Sequence, residues 1–303
     1  MRIGVTTGAS AGAEGQIEGL VKEAKHLEAR GFHSTWMANI FGLDAMSVQG
    51  LIGRETERIE LGTAVVPTYP RHPFAMAQQA RTTAAAIGGR FVLGIGLSHQ
   101  VIIEDIMGLS YSKPARHMRE YMSVLEPLMR GESVAFDGQE YRVNGALEIN
   151  EVAQVPILIA ALGDQMLKIA GETSGGTILW MTGPSTIESH IIPKLKAATS
   201  EAGRPDPRVV AGFPIVLTEN LEHAHKYISK SLAVYKQLPS YRAMLDKEGA
   251  SGAVDVAIAG DEKVLDAALD RLSEIGVTDF NAAIMPLDKE ATERTLQYLE
   301  SRL

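Results

Sequence analysis

The chain has 303 residues, 45% of them apolar and 22% charged, enough for a continuous core, and its formal net charge of −8 argues against general affinity for nucleic acid or an anionic membrane. With no cysteine, disulfides, thiolate metal sites and cysteine nucleophiles are excluded. MRIGVTTGAS at the start lacks a basic stretch followed by an apolar one, and no apolar run approaches the about 20 residues of a membrane helix, so a soluble, cytoplasmic protein is expected.

Short apolar runs alternate with helical periods along the chain. Residues 2–6 form the first predicted strand; after a Gly/Ala/Ser loop, an amphipathic helix over about 17–30 ends at Gly31. A strand at 34–38 and a helix at 44–54 follow, then a strand at 59–66 and a helix at 73–87 with Pro73 in its first turn. The fourth strand, 91–95, is closed by Gly96, and a helix over about 114–129 comes after a long connection. Residues 133–145, SVAFDGQEYRVNG, alternate apolar and polar around Asp137-Gly138 and predict an inserted β-hairpin. The rhythm returns with strand 156–160, helix 165–172, strand 177–181, helix 187–202 and strand 209–217. A long helical stretch over 222–248, interrupted at Pro239, is followed by helix 263–275, strand 279–284 and helix 289–302. Eight strands separated by helices, with no GxGxxG after the first, favour an α/β (β/α)8 TIM barrel with loop and β-hairpin insertions over a doubly wound sheet. Without a linker or solenoid repeat, one domain over 1–303 is expected.

Such a barrel keeps its active site at the C-terminal ends of its strands. Those exits read TTGAS (6–10), WMANIFG (36–42), VVPTYPRHP (65–73), GIGLSHQ (94–100), IAALGDQM (159–166), LWMTGPS (179–185), PIVLTEN (214–220) and AAIMP (282–286). They hold no lysine, His-x-His pair or carboxylate cluster, which argues against a Schiff-base aldolase, a metallohydrolase and a glycosidase; no metal is expected. Glycine, small polar groups, tryptophan and a few histidines suit a flat organic cofactor that brings its own reactivity.

In ALGDQM, Gly163 allows close backbone approach, and a helix beginning at Asp164 would aim free N–H groups at a phosphate; a plain turn between helix and strand has the same spelling. His99, past the fourth strand, either handles a proton near neutrality or is a loop histidine bonded to backbone. Trp36 and Trp180 either wall a ring or fill the barrel top, and Trp180, followed by Thr182 and Gly183, is the choice for the wall. His72 reads as a capping or packing residue, His117 as structural, and His223 and His225 as solvated. Tyr241 and Arg242, in QLPSYRAML, are candidates for a lid over a substrate.

GFHSTWMANIFG, IELGTAVVPTYPRHPFAMAQQ, GGRFVLGIGLSH, RHMREYMSVLEPLMRGE and VPILIAALGDQMLKIAGETSGGTILWMTGP span most of the chain. Together they resemble the luciferase-like monooxygenase superfamily and, within it, the oxidoreductases that depend on the deazaflavin coenzyme F420. The resemblance implies a (β/α)8 barrel, usually a homodimer, with the cofactor ring over the barrel mouth. It implies a non-prolyl cis peptide in a third-strand bulge, here Ala64-Val65, whose backbone supports the ring. Around the cofactor it further implies Thr6, Asn39, the fourth-strand exit Gly96, Leu97, Ser98 and His99, and Trp180 and Thr182. Leu162, Gly163, Asp164, Gln165 and Met166 would hold the phosphate of the ribityl tail.

Many F420-dependent members carry Asp, often Asp-His, where this chain has Asn39-Ile40, and a sugar-phosphate dehydrogenase of the family uses a Glu where it has Leu97. That enzyme's acid–base set is therefore absent. Asn39 can hydrogen-bond a ring carbonyl or nitrogen but cannot donate a proton as an acid does. The implied reaction is hydride transfer between C5 of F420 and a small organic substrate, with Asn39 and His99 as the catalytic residues. An FMN-dependent monooxygenase and a non-catalytic flavin-binding paralogue are the alternatives. Arg71, Arg116, Arg119 and Arg242 are the cations available to the polyglutamate tail of F420, or else form ordinary surface ion pairs.

Overall fold

In the computed structural model, residues 1–8, 17–149 and 154–303 are described; Ala9 and Ser10 of the first strand exit, and the loop that follows them, lie outside that set. Strand and helix alternate through the first half: β1 (Arg2–Thr7), α1 (Ile17–Ala29), β2 (Ser34–Met37), α2 (Ala45–Arg54), β3 (Glu60–Thr63), β4 (Val66–Pro67), α3 (Pro73–Ala86), β5 (Phe91–Gly96) and α4 (Pro114–Met129). The hairpin is β6 (Val134–Asp137) and β7 (Arg142–Gly145). Then come β8 (Ile157–Ile159), α5 (Asp164–Thr173), β9 (Gly176–Trp180), α6 (Pro184–Thr186), α7 (Ile192–Glu201) and β10 (Arg208–Leu217). The chain continues through α8 (Leu221–Ser231), α9 (Pro239–Glu248), α10 (Ala253–Val256), β11 (Ile258–Gly260), α11 (Glu262–Glu274), β12 (Asp279–Ile284) and α12 (Lys289–Glu300).

Strands β10, β12, β1, β2, β3, β5, β8 and β9 are hydrogen-bonded in that order, and β9 pairs back with β10, so eight parallel strands close a barrel inside the helices. The expected TIM barrel and its hairpin insertion are thus both present. The third strand is broken after Thr63 and resumes as β4, which pairs with β5. Short β11, an element the sequence does not announce, pairs with the outer end of β10.

Three local expectations need correction. The hairpin does not turn tightly at Asp137-Gly138: the Glu120 carboxylate on α4 accepts from the N–H groups of Gln139, Glu140 and Tyr141 at 3.1, 2.7 and 3.2 Å. Holding three donors on one carboxylate requires a four-residue connection between β6 and β7. Pro239 does not interrupt a helix but starts α9, where its missing N–H costs nothing; the break lies before it, around a 3-10 turn at Tyr235–Gln237. The helix expected at 187–202 begins earlier, at Pro184, and passes through a π turn at Ile187–Ile191.

Inside the barrel, Trp36, Val92, Leu158, Ile178 and Val210 form a buried plug, each such large apolar side chain contributing about 1.5–3 kcal/mol. Trp36 is fully buried and donates from Nε1 to Ser34 Oγ at 2.9 Å, so it fills the barrel rather than walling a ring. Beneath the plug, Arg208 bonds Asp279 at 2.7 and 2.9 Å and also bonds Glu60, while Arg2 bonds Asp279 at 2.9 Å. The Arg208 guanidinium also lies 5.3 Å from the centre of the Trp36 ring. These charges close the base and leave the strand exits as the open end.

Candidate active site

Above the plug the barrel is lined by residues with little or no side chain. A Cβ on Gly94 would lie 1.9 Å from the Thr63 carbonyl oxygen, and one on Gly96 would lie 2.7 Å from Val65 Cγ2 and 3.2 Å from Ala160. The space those Cβ atoms would need is taken by the break between β3 and β4, where the Ala64-Val65 peptide is cis, as the resemblance implies. Ala64, Val65 and Ala160 pack directly on the plug. Gly212 continues the same small-residue surface beside Trp180 and Asn281.

Asn39 belongs to this floor. Its N–H donates to the Val65 carbonyl at 3.4 Å, and its Oδ1 accepts from the Ala45 N–H at 3.0 Å, at the start of α2. The acceptor half of the amide is therefore spent on the loop, and the Nδ2 donors make no hydrogen bond among the described residues. Thr6 donates from Oγ1 to Asn281 Oδ1 at 2.8 Å. Asn281, which sequence reasoning missed, is 4% exposed; its one signal is an amide inside the apolar run DFNAAI.

The fourth-strand exit is partly buried. Leu97 packs on the core, and Ser98 has the left-handed φ of 60°, which is uncommon for a residue with a side chain, with its carbonyl accepting from Tyr111 OH at 3.4 Å. Burial pushes the His99 imidazole below its ordinary pKa, which favours its neutral form. It makes no hydrogen bond to Asn39. On the sixth-strand exit, Trp180 is partly buried and Met181 has φ 48°, while Thr182 is 1% exposed and its Oγ1 has no partner among the described residues. An unpaired buried hydroxyl costs about 1–3 kcal/mol, so it invites an explanation.

The start of α5 also carries unspent donors. Its first internal bond runs from the Leu167 N–H to the Gly163 carbonyl at 2.9 Å, which leaves the N–H groups of Asp164, Gln165 and Met166 without a partner among the described residues. By contrast Asp44, His72, Asn220, Asp261 and Asp288 each cap a helix with a side chain, whereas Gly163 has none, and a Cβ there would meet nothing within 4 Å. The Leu162 carbonyl accepts from His190 Nε2 at 2.8 Å, which fixes the approach to this end. The exposed Asp164 carboxylate pairs with Lys194, whose hydrogen bond holds it below the ordinary carboxylate range, so its charge is already answered. Met166 packs on the core behind the helix start.

Most of the arginines are spoken for. Arg71 pairs with Asp44, and Arg116 with Glu140 at 2.7 Å. Arg242 bonds Asp246 and the carbonyls of Ala250 and Ser251, so it fastens the end of α9. Arg119 has no ion pair among the described residues. His72 caps α3, as expected, accepting from the Phe74 N–H at 3.3 Å. His117 is structural too: it bonds Thr68 Oγ1 at 2.9 Å, meets Tyr141 OH at 3.3 Å and stacks on Tyr69, and burial pushes its pKa down to about 4. His223 and His225 are exposed on α8.

Comparison with known proteins points the same way. The family model described as luciferase-like monooxygenase matches residues 1–277. The 5,10-methylenetetrahydromethanopterin reductase of Methanolobus tindarius is 31% identical over 188 residues, 62% of this chain and 57% of that protein. An F420-dependent glucose-6-phosphate dehydrogenase of Nakamurella multipartita is 32% identical over 161 residues, 51% of this chain and 47% of that one. The chain thus spans about half the length of these curated relatives. In fold, the solved coenzyme F420-dependent tetrahydromethanopterin reductase of Methanopyrus kandleri matches 100% of this chain and 98% of its own, with TM-score 0.81 at 21% identity.

Proposed function

The chain belongs to the luciferase-like monooxygenase family, and on that premise we propose that it is an F420-dependent oxidoreductase moving a hydride between the cofactor and a small organic substrate. The observation that carries this reading is the pairing of a floor stripped of side chains at Gly94, Gly96 and Gly212 with the uncapped start of α5 beside it. A flat ring needs the first and a phosphate-bearing tail needs the second. The dehydrogenase relative supports the choice of F420 by its name.

When bound, F420 supplies a two-electron hydride centre at C5. The chain's own residues do the rest. The backbone of Ala64 and Val65 backs the ring, and the free Nδ2 donors of Asn39 meet a polar edge of it. The N–H groups of Asp164, Gln165 and Met166 hold the phosphate, and Lys194 offsets the nearby carboxylate. Thr182 Oγ1 gains the partner it lacks. Since Asn39 cannot act as an acid, the proton that accompanies the hydride is taken or given at the His99 imidazole. We extend the proposal to a cytoplasmic homodimer acting on a small molecule. Among the described residues, no helix is long and apolar enough to cross a membrane.

Titration of the purified protein with F420 and, separately, with FMN tests the reading. F420 is expected to bind at least about tenfold more tightly, a difference of about 1.4 kcal/mol. Tighter binding of FMN would move the assignment to a flavin monooxygenase, and binding of neither would end both.

A further inference from the structure

The excursion after β10, residues 221–256, packs in an apolar cluster of its own with Met181, Val216 and Met285 from three strand exits. Its aromatic residues line up. Tyr235 meets Trp180 at 6.1 Å and Tyr241 at 5.0 Å, both edge to face, and Tyr241 reaches His99 at 5.7 Å. One row of four rings therefore runs from the sixth strand exit to the fourth. Edge-to-face contacts of this kind are worth about 0.5–1.5 kcal/mol each beyond the area they bury, so the row holds its shape.

A single carboxylate ties the row down. Glu248, the last residue of α9, accepts from the Thr186 N–H and Oγ1, both at 2.6 Å, and from the Ser185 N–H at 3.1 Å. Gly183 is needed for this contact, because a Cβ there would lie 2.1 Å from Glu248 Cδ. The helix that carries Tyr241 is thus pinned to the strand exit that carries Trp180 by charge-assisted bonds.

Among the described residues, no ionised side chain joins the row. Burial raises the phenols of Tyr235 and Tyr241 and lowers the His99 imidazole, which favours the neutral form of each. Arg242 is committed to the end of α9, the charges of Lys194 and Lys247 act on Asp164 at the start of α5, and Lys236, next to Tyr235, is exposed to solvent. A charged substrate brought against these rings would leave water without gaining a counter-ion, whereas a planar apolar one would gain ring contacts.

We propose that Trp180, Tyr235 and Tyr241, held by Glu248, form the specificity-determining wall of the substrate site and select an uncharged, flat aromatic molecule over a sugar phosphate. The proposal rests on the reading of the barrel mouth as a cofactor-bearing site and specifies what lies on its substrate side. Glu248 acts through the rings and is a positioning residue.

The two tryptophans make the test direct, since Trp36 is sealed in the plug and Trp180 stands in the wall. Menadione, a neutral two-ring aromatic, added to the full-length protein should quench tryptophan emission saturably, and Trp180→Phe should remove most of that quench. Tyr241→Ala should weaken menadione binding about fivefold or more, and Tyr241→Phe should restore it, because the ring and not the hydroxyl makes the contact. Glu248→Gln should weaken it about threefold and speed hydrogen exchange in residues 235–248 while the barrel strands keep theirs. F420 affinity, read from deazaflavin fluorescence, should stay the same in the Tyr241 and Glu248 variants. Tighter binding of glucose 6-phosphate than of menadione, or undiminished menadione binding in both Tyr235→Ala and Tyr241→Ala, would overturn the proposal. Loss of the cofactor reading shows differently, as menadione binding with no F420 binding.

Discussion

At the base of the barrel Arg208 lies between Asp279 and Glu60, with Arg2 completing the set, and each charge faces its opposite. At the mouth, among the described residues, the Thr182 hydroxyl is buried with no partner and three N–H groups at the start of α5 are unspent, while burial favours the neutral form of His99. The same strands thus run from charges that answer one another to a mouth with donors and a hydroxyl unpaired among the described residues, although Thr35 Oγ1, lower on β2, is unpaired as well. Because buried polar groups are nearly always paired in a finished protein, the unfinished end is where a ligand supplies what is missing. Titratable groups follow the same division. Burial alone would raise the Asp279 carboxyl, but the hydrogen bond and charge of Arg208, with Thr278 and Arg2, together outweigh it and hold the group below the ordinary carboxylate range. Beside the mouth, burial of His117, Tyr69 and Tyr141 favours their neutral forms instead.

The sharpest way to break this contrast is Asp279→Ala. It leaves the half of Arg208 that faced Asp279 without an anion in a buried place, and should lower stability by about 3–5 kcal/mol in chemical denaturation. F420 binding by the protein that remains folded should not change. A loss under about 1 kcal/mol would mean that the base is not what holds the barrel closed.

The next effect belongs to pH. The native pKa of His117, about 4, lies below its ordinary 6.5, so the unfolded chain takes up a proton that the native state refuses. Stability should therefore be complete above about pH 6.5 and decline as pH falls towards 4, by on the order of 3 kcal/mol from this group. His117→Gln should flatten that part of the profile, whatever its effect at pH 7. An unchanged slope would show that the fold does not exclude the proton there.

The smallest effect is the most discriminating. Thr182→Val removes a hydroxyl that has no partner, so stability should stay within about 1 kcal/mol or rise. F420 affinity should fall about five- to tenfold if that hydroxyl is one of the groups left for the cofactor. Equal affinity in the two proteins would separate Thr182 from the site.

The barrel was legible because buried parallel strands read as unbroken apolar runs, and the helices between them carry a different period. The cis peptide at Ala64-Val65 was legible through the resemblance, since nothing in a Gly-Thr-Ala-Val-Val spelling requires it. Depth was not legible. Trp36 and Trp180 both sit at strand ends, yet one fills the plug and the other stands above it. Long-range partners stayed hidden for the same reason. Arg208 finds Asp279 and Glu60 across separations of 71 and 148 residues, and the hairpin takes its turn from Glu120, about 20 residues upstream. Asn281 and Arg242 show the limit from both sides. The polar residue in an apolar strand reached the site, and the cation on a polar helix did not.

One pairing sets the order in which this protein can be completed. β12 lies between β1 and β10 and bonds to both, so the first strand waits for a neighbour 277 residues further on. During synthesis the ribosome releases β1 through β11 before that neighbour exists outside the exit tunnel. Until then the β1 edge stays open and Arg208 lacks its buried counter-ion. Closure of the barrel accordingly waits for β12, and a growing chain stalled before Asp279 is an open sheet in search of an edge.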